Sequence, residues 1–87
     1  MYKYEDKKQS IFTEDGQIMF LKIRDNVQKL LKQSGAVTMG CAISGCTGDS
    51  WKMLACVDRL VEIGELKEVI QKSSVAGQNR IFVSGSN

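Results

Sequence analysis

Eighty-seven residues with 43% apolar and 25% charged side chains make one globular domain, large enough for a small core but not for a roomy catalytic cavity as well. The chain has no histidine, which removes the commonest general base and any Ser-His or Cys-His nucleophile pair. Its three cysteines, Cys41, Cys46 and Cys56, follow no metal or disulfide framework, so the expectation is no enzyme, no metal site and no cofactor.

The formal net charge is +2, and its distribution says more than its sum. Lys52, Arg59 and Lys67 are outnumbered between residues 49 and 68 by Asp49, Asp58, Glu62, Glu65 and Glu68, whereas only Lys72 and Arg80 carry charge from Val69 onward. A duplex is normally met by a basic stripe. Here such a stripe could form only near the C-terminal hairpin and parts of the N-terminal segment. The longest apolar block, Ile18–Leu21, is far too short to span a bilayer, and residues 1–10 carry no signal-peptide core. A cytoplasmic location without a membrane partner is expected.

In chain order, residues 1–12 mix charge with Tyr2, Tyr4, Ile11 and Phe12 and read as an N-terminal arm, frayed at first and docked near Ile11-Phe12. Thr13-Glu14-Asp15 opens a helix with a hydroxyl cap and carboxylates at the positive end of the dipole, and Gly16 weakens its first turn slightly. This helix runs to about Gln33 and stops at Ser34-Gly35. At about 100° per residue, Phe20, Ile23, Val27, Leu30 and Leu31 share its core face. Ile18 and Leu21 fall on the opposite side. They are either scattered surface residues or a seam covered by the arm or, with Met19, by a second protomer in a homodimer.

Ala36–Thr38 suits a short strand, with Thr38 capping a second short helix over Met39–Cys46 whose inner surface is Ala42, Ile43 and Cys46. Gly45-Cys46-Thr47-Gly48 is a turn, and Thr47 or Asp49 caps a third helix. On that helix Met53, Leu54, Val57, Leu60 and Val61 form the core side, with Trp51, Lys52, Ala55, Cys56, Asp58, Arg59 and Glu62 opposite. Gly64 ends it. The runs Leu66–Gln71 and Arg80–Ser84 are β-branched and aromatic, and the turn-rich stretch between them makes a hairpin with a long loop. Residues 85–87 are a tail.

The run Asp58-Arg59-Leu60-Val61-Glu62-Ile63-Gly64-Glu65-Leu66 resembles the exit from the recognition helix of bacterial winged helix-turn-helix regulators. Leu60 anchors the helix, Gly64 turns the backbone out and Leu66 returns to the core. The order of elements over about residues 14–84 is likewise similar to that superfamily. The resemblance implies an α+β winged helix-turn-helix fold, with a three-helix core and a small antiparallel sheet, spanning residues 13–84. It also implies a small protein that binds double-stranded DNA, a transcriptional regulator or accessory factor of modest intrinsic affinity. The third helix would enter the major groove with Ser50, Lys52, Cys56 and Arg59. The wing would reach phosphate or the minor groove with Lys72, Gln78, Asn79 and Arg80. The plainer reading of Lys52 and Arg59 is a solvated helix face, and of the hairpin residues an ordinary polar tip.

Winged helices also serve as protein-interaction modules, and fold analogy does not choose between the two roles. Trp51 is the pivotal residue for the second. It either folds back on the second helix to close the core or stands exposed as an anchor for a protein partner, with Ile18 and Leu21 as further interface residues. Cys56 is either a thiol activated by Lys52 and Arg59 or a quiet half-buried cysteine.

Overall fold

The computed structural model describes residues 2–69 and 80–85, which form four helices and a three-stranded antiparallel sheet. The first element corrects the expectation of an arm: Tyr4–Ile11 is a helix, α1. Glu5 and Asp6 occupy its first turn, where carboxylates favour the dipole, and Tyr4, Lys7, Lys8 and Ile11 share one side at helical spacing. Helix α2, Glu14–Ser34, follows after a two-residue corner. Thr13 Oγ1 accepts from the Gly16 amide at 3.0 Å and donates to the Ser10 carbonyl at 2.8 Å, so one hydroxyl ties both helices. A β-carbon at Gly16 would collide with the carbonyl oxygen of Ser10. The glycine is therefore there for close approach of two backbones, not as a weak first turn. Gly35 closes α2 with φ 76° and donates to the Leu31 carbonyl at 2.8 Å.

Strand β1 is Ala36–Thr38, and Thr38 caps a helix α3 that covers only Met39–Ala42. The expected longer helix fails because its glycines carry low helix propensity, and Gly45 takes φ 84°. Asn26 of α2 compensates by donating its side-chain amide to the Cys41 and Ala42 carbonyls at 3.0 and 2.9 Å, at the end of the short helix, where the Cys41 carbonyl also accepts from the Ser44 amide. Met39, which the sequence did not place in the core, is wholly buried, and its amide donates to the Arg80 carbonyl at 2.8 Å.

Helix α4, Ser50–Glu62, is capped by Asp49 rather than Thr47: Asp49 Oδ1 accepts from the Trp51 amide at 2.9 Å. Gly64 (φ 85°) turns the chain out, and Leu66 enters the core as the first residue of β2, Leu66–Val69. Strand β3, Ile81–Ser84, is central in the order β1-β3-β2, with Val37 opposite Phe82 and Val69 opposite Ile81. Because alternate residues share a face, Phe82 and Leu66 point inward, and Glu68 and the preceding Arg80 lie on that same inner side. The core gathers Ile23 and Val27 of α2, Val57 and Leu60 of α4, and Val37, Leu66 and Phe82 of the sheet, with Ile11 added from α1. No helix among the described residues is long and apolar enough to cross a membrane.

The covered face of helix α4 as candidate interaction site

Helix α4 lies between α2 and α1. Its core side is Met53, Cys56, Val57 and Leu60, all buried. Its opposite stripe is Trp51, Ala55, Asp58 and Glu62, at i, i+4, i+7 and i+11. The sequence places that stripe opposite the core side, with Trp51 either folded back on the second helix or exposed. In the structure α1 lies along it, and Ala55 is as buried as any core residue.

The covering contacts are polar and directional. Tyr2 donates its hydroxyl to Asp58 Oδ2 at 2.6 Å, and Tyr4 donates to Glu62 Oε1 at 2.7 Å. Lys8 Nζ reaches Glu62 Oε2 at 2.8 Å, and Lys7 Nζ lies 3.6 Å from Asp49. The rings of Tyr2 and Trp51 meet edge-on with centroids 6.5 Å apart, and Lys7 Nζ sits 5.6 Å from the Trp51 ring. The acids of α1, Glu5 and Asp6, stay exposed, so the side turned to α4 carries hydroxyls and ammonium groups and meets carboxylates.

The electrostatics follow. Hydrogen bonds from Lys8, Tyr4 and Arg59 hold the Glu62 carboxyl down at about 2. The Trp51 amide, with Lys7 nearby, lowers that of Asp49. Burial, reinforced by the adjoining carboxylates, raises the Tyr2 and Tyr4 hydroxyls, which therefore act as donors. Arg80 anchors a second layer beneath. Its Nε and Nη2 grip Glu68 at 3.0 and 2.7 Å, while Nη2 also reaches Asp58 Oδ1 at 2.7 Å. The bond to Glu68, with that to Asp58, fixes the guanidinium as a cation, and Arg80 in turn lowers the Glu68 carboxyl.

These placements bear on each expected DNA contact. Cys56 cannot face a groove: it is fully buried, and burial pushes its thiol up to about 11, which also removes the activated thiolate. Arg59 pairs with Glu62 at 2.7 Å and lies over the Phe12 ring at 5.3 Å. Arg80 points inward to its two carboxylates rather than outward from a hairpin tip, because it shares the inner side of the sheet with Phe82. Ser50 is exposed at the start of α4. Lys52 borders a groove of about 370 Å³ shared with Lys22, Ile18, Met19 and the Cys46–Asp49 turn. Lys72, Gln78 and Asn79 lie outside the described residues.

Among the expected protein contacts, Trp51 is 41% exposed. It does not close the core against α3; what covers it in part is α1. Ile18 and Leu21 stay bare at 62% and 53%, so α1 is not their cover. Among the described residues no group of three or more Cys, Asp or Glu side chains converges as a metal site would require. Tyr2, Tyr4, Lys7 and Lys8 are the site residues the sequence reading missed. Their signal was the Tyr4–Lys7/Lys8–Ile11 spacing, hidden because a helix this polar shows almost no apolar face. Comparison with family models, with curated proteins and with solved structures returns no match to this chain.

Proposed function

We propose that this is a winged-helix domain that works as a protein-interaction module and does not insert α4 into a DNA groove. The fold part of the reading rests on the order α2, β1, α3, α4, β2, β3 and on the sheet order β1-β3-β2, with α1 as an addition. One observation carries the functional part: the face of α4 opposite the core is covered by α1 and is acidic beneath the cover. Withdrawing α1 would present Asp49, Asp58 and Glu62 to the duplex, and a phosphate backbone is repelled by such a surface. Arg59 pairs with Glu62, and Arg80 with Asp58 and Glu68; these pairs offset part of that charge and leave neither cation free for phosphate.

A second reading, a DNA-binding accessory factor, is favoured by one feature. Lys22 and Lys52 border the same groove beside the exposed start of α4, a place where a helix-turn-helix approaches phosphate. Titration of a labelled mixed-sequence duplex, read by fluorescence anisotropy at two salt concentrations, separates the two. The interaction module shows no binding at low salt. Binding that falls linearly in log–log form as salt rises, and that weakens in Lys52→Ala, establishes the DNA reading instead.

A further inference from the structure

We infer that the Trp51–Ala55–Asp58–Glu62 stripe of α4 is a docking site for a basic amphipathic helix of a partner protein, and that α1 is its built-in, displaceable occupant. The inference rests on the interaction-module reading and adds the chemistry of the partner.

The stripe is a continuous surface with one recognisable chemistry. Ala55 forms a shallow floor that lets a helix approach closely, Trp51 offers an aromatic wall at one end, and Asp58 and Glu62 supply acceptors toward the other. The occupant shows what fits. From α1 this face receives a hydroxy-aromatic ring at Tyr4 and ammonium groups at Lys7 and Lys8, at the i, i+3, i+4 spacing of a helix laid in a groove, while Ile11 at i+7 is set in the core. A partner helix with an aromatic hydroxyl and two cations at that spacing meets the same groups, and an acidic helix is rejected by Asp49, Asp58 and Glu62.

The cover is also built to release. Within α1 only Ile11 is fully buried, and it lies at the last turn, beside the Thr13–Gly16 corner. Tyr4 packs partly against the core, and the charged contacts of the helix are ones that water already reaches: the Lys8–Glu62 side chains are 30% and 34% exposed, the Lys7–Asp49 side chains 32% and 48%. Such pairs are screened by salt and exchange readily for water or for an equivalent partner. The first turns of α1 can therefore lift while Ile11 holds the corner. An intramolecular occupant competes at high effective concentration, so docking in the resting protein is suppressed until the partner outbids it or α1 is weakened.

The test uses the full chain and a fluorescein-labelled peptide of residues 2–12, with a second peptide in which its lysines are replaced by glutamate. In Tyr2→Phe/Lys8→Ala, which loosens α1, the first peptide is expected to bind about tenfold more tightly than to the wild type, with a change in Trp51 emission, and the glutamate peptide not at all. Melting curves establish that the variant is folded. If it is not, Tyr4→Phe, which removes one hydrogen bond, replaces it with the same expected direction. Equal affinity for wild type and loosened variant overturns the inference, as does absence of binding to a folded loosened variant. The same proteins titrated with labelled duplex separate two failures. No peptide and no DNA binding removes this docking face alone, whereas DNA binding at low salt removes the interaction-module reading with it.

Discussion

At Arg80 a single guanidinium answers two carboxylates from different elements, Asp58 of α4 and Glu68 of β2, while its Cζ lies 5.2 Å from the centroid of the Phe82 ring. With these side chains only 13–26% exposed, removing the cation strands two acids in a partly desolvated place. Arg80→Ala is expected to lower stability by about 2–3 kcal/mol in urea unfolding, a loss typical of breaking a sheltered, hydrogen-bonded ion pair. Arg80→Lys recovers part of it, since a point charge cannot serve both partners with the same fork. Glu62 gives a pH signature. Its carboxyl is held at about 2 against an ordinary 4.5, so its stabilisation is complete above 4.5 and disappears as pH falls toward 2. Thermal melts across that window should show Tm falling with acid, and Glu62→Gln should flatten the slope. Some slope persists in the variant, because Asp49 and Glu68 are shifted in the same direction.

The corner between α1 and α2 and the stub of α3 are the elements on which the architecture is most sensitive. Gly16→Ala puts a methyl group against the backbone of Ser10 and Ile11, so α1 must move. Its expected readout is a change in Trp51 emission, as the Tyr2 ring and Lys7 leave the indole, together with a lowered Tm. Asn26→Ala leaves the Ala42 carbonyl without its donor and the Cys41 carbonyl with only the Ser44 amide, and should cost about 1 kcal/mol in the same urea assay. Helix α2, its glycine stop, the exit from α4 and the paired parts of the hairpin were legible, because hydrophobic period, cap chemistry and glycine placement all act locally. Helix α1 was not. Its side turned to α4 is made of tyrosine and lysine, and what holds it there is a set of acceptors more than forty residues away in the chain. The same blindness put Ala55 opposite the core side of α4, since a periodicity argument finds one buried face and this helix has two; Cys56 shares the core side with Met53 and Leu60 and was misassigned. Asn26 reads as a polar surface residue until α3 is seen to be too short to satisfy its own end.

Across the whole molecule, what is left uncovered differs in kind from what α1 covers. Ile18 and Leu21 make no part of the core, so Leu21→Lys should leave Tm within the range of about 0.5 kcal/mol typical of surface changes, measured by thermal melt. The central position of β3 has a consequence for how the domain comes into being. Strands β1 and β2 do not touch one another; each pairs only with β3, the last of the described strands. The helices can begin to associate as soon as they are synthesised, but the sheet waits for residues 81–84, and until then both β1 and β2 present bare edges. Closure of the sheet thus depends on the last-made of the described strands, and the berth of Phe82 stays unfilled until that strand arrives. Once there, that ring stands opposite Val37 of β1 on one side and Glu68 of β2 on the other, and it closes the inner face of the sheet over the helices.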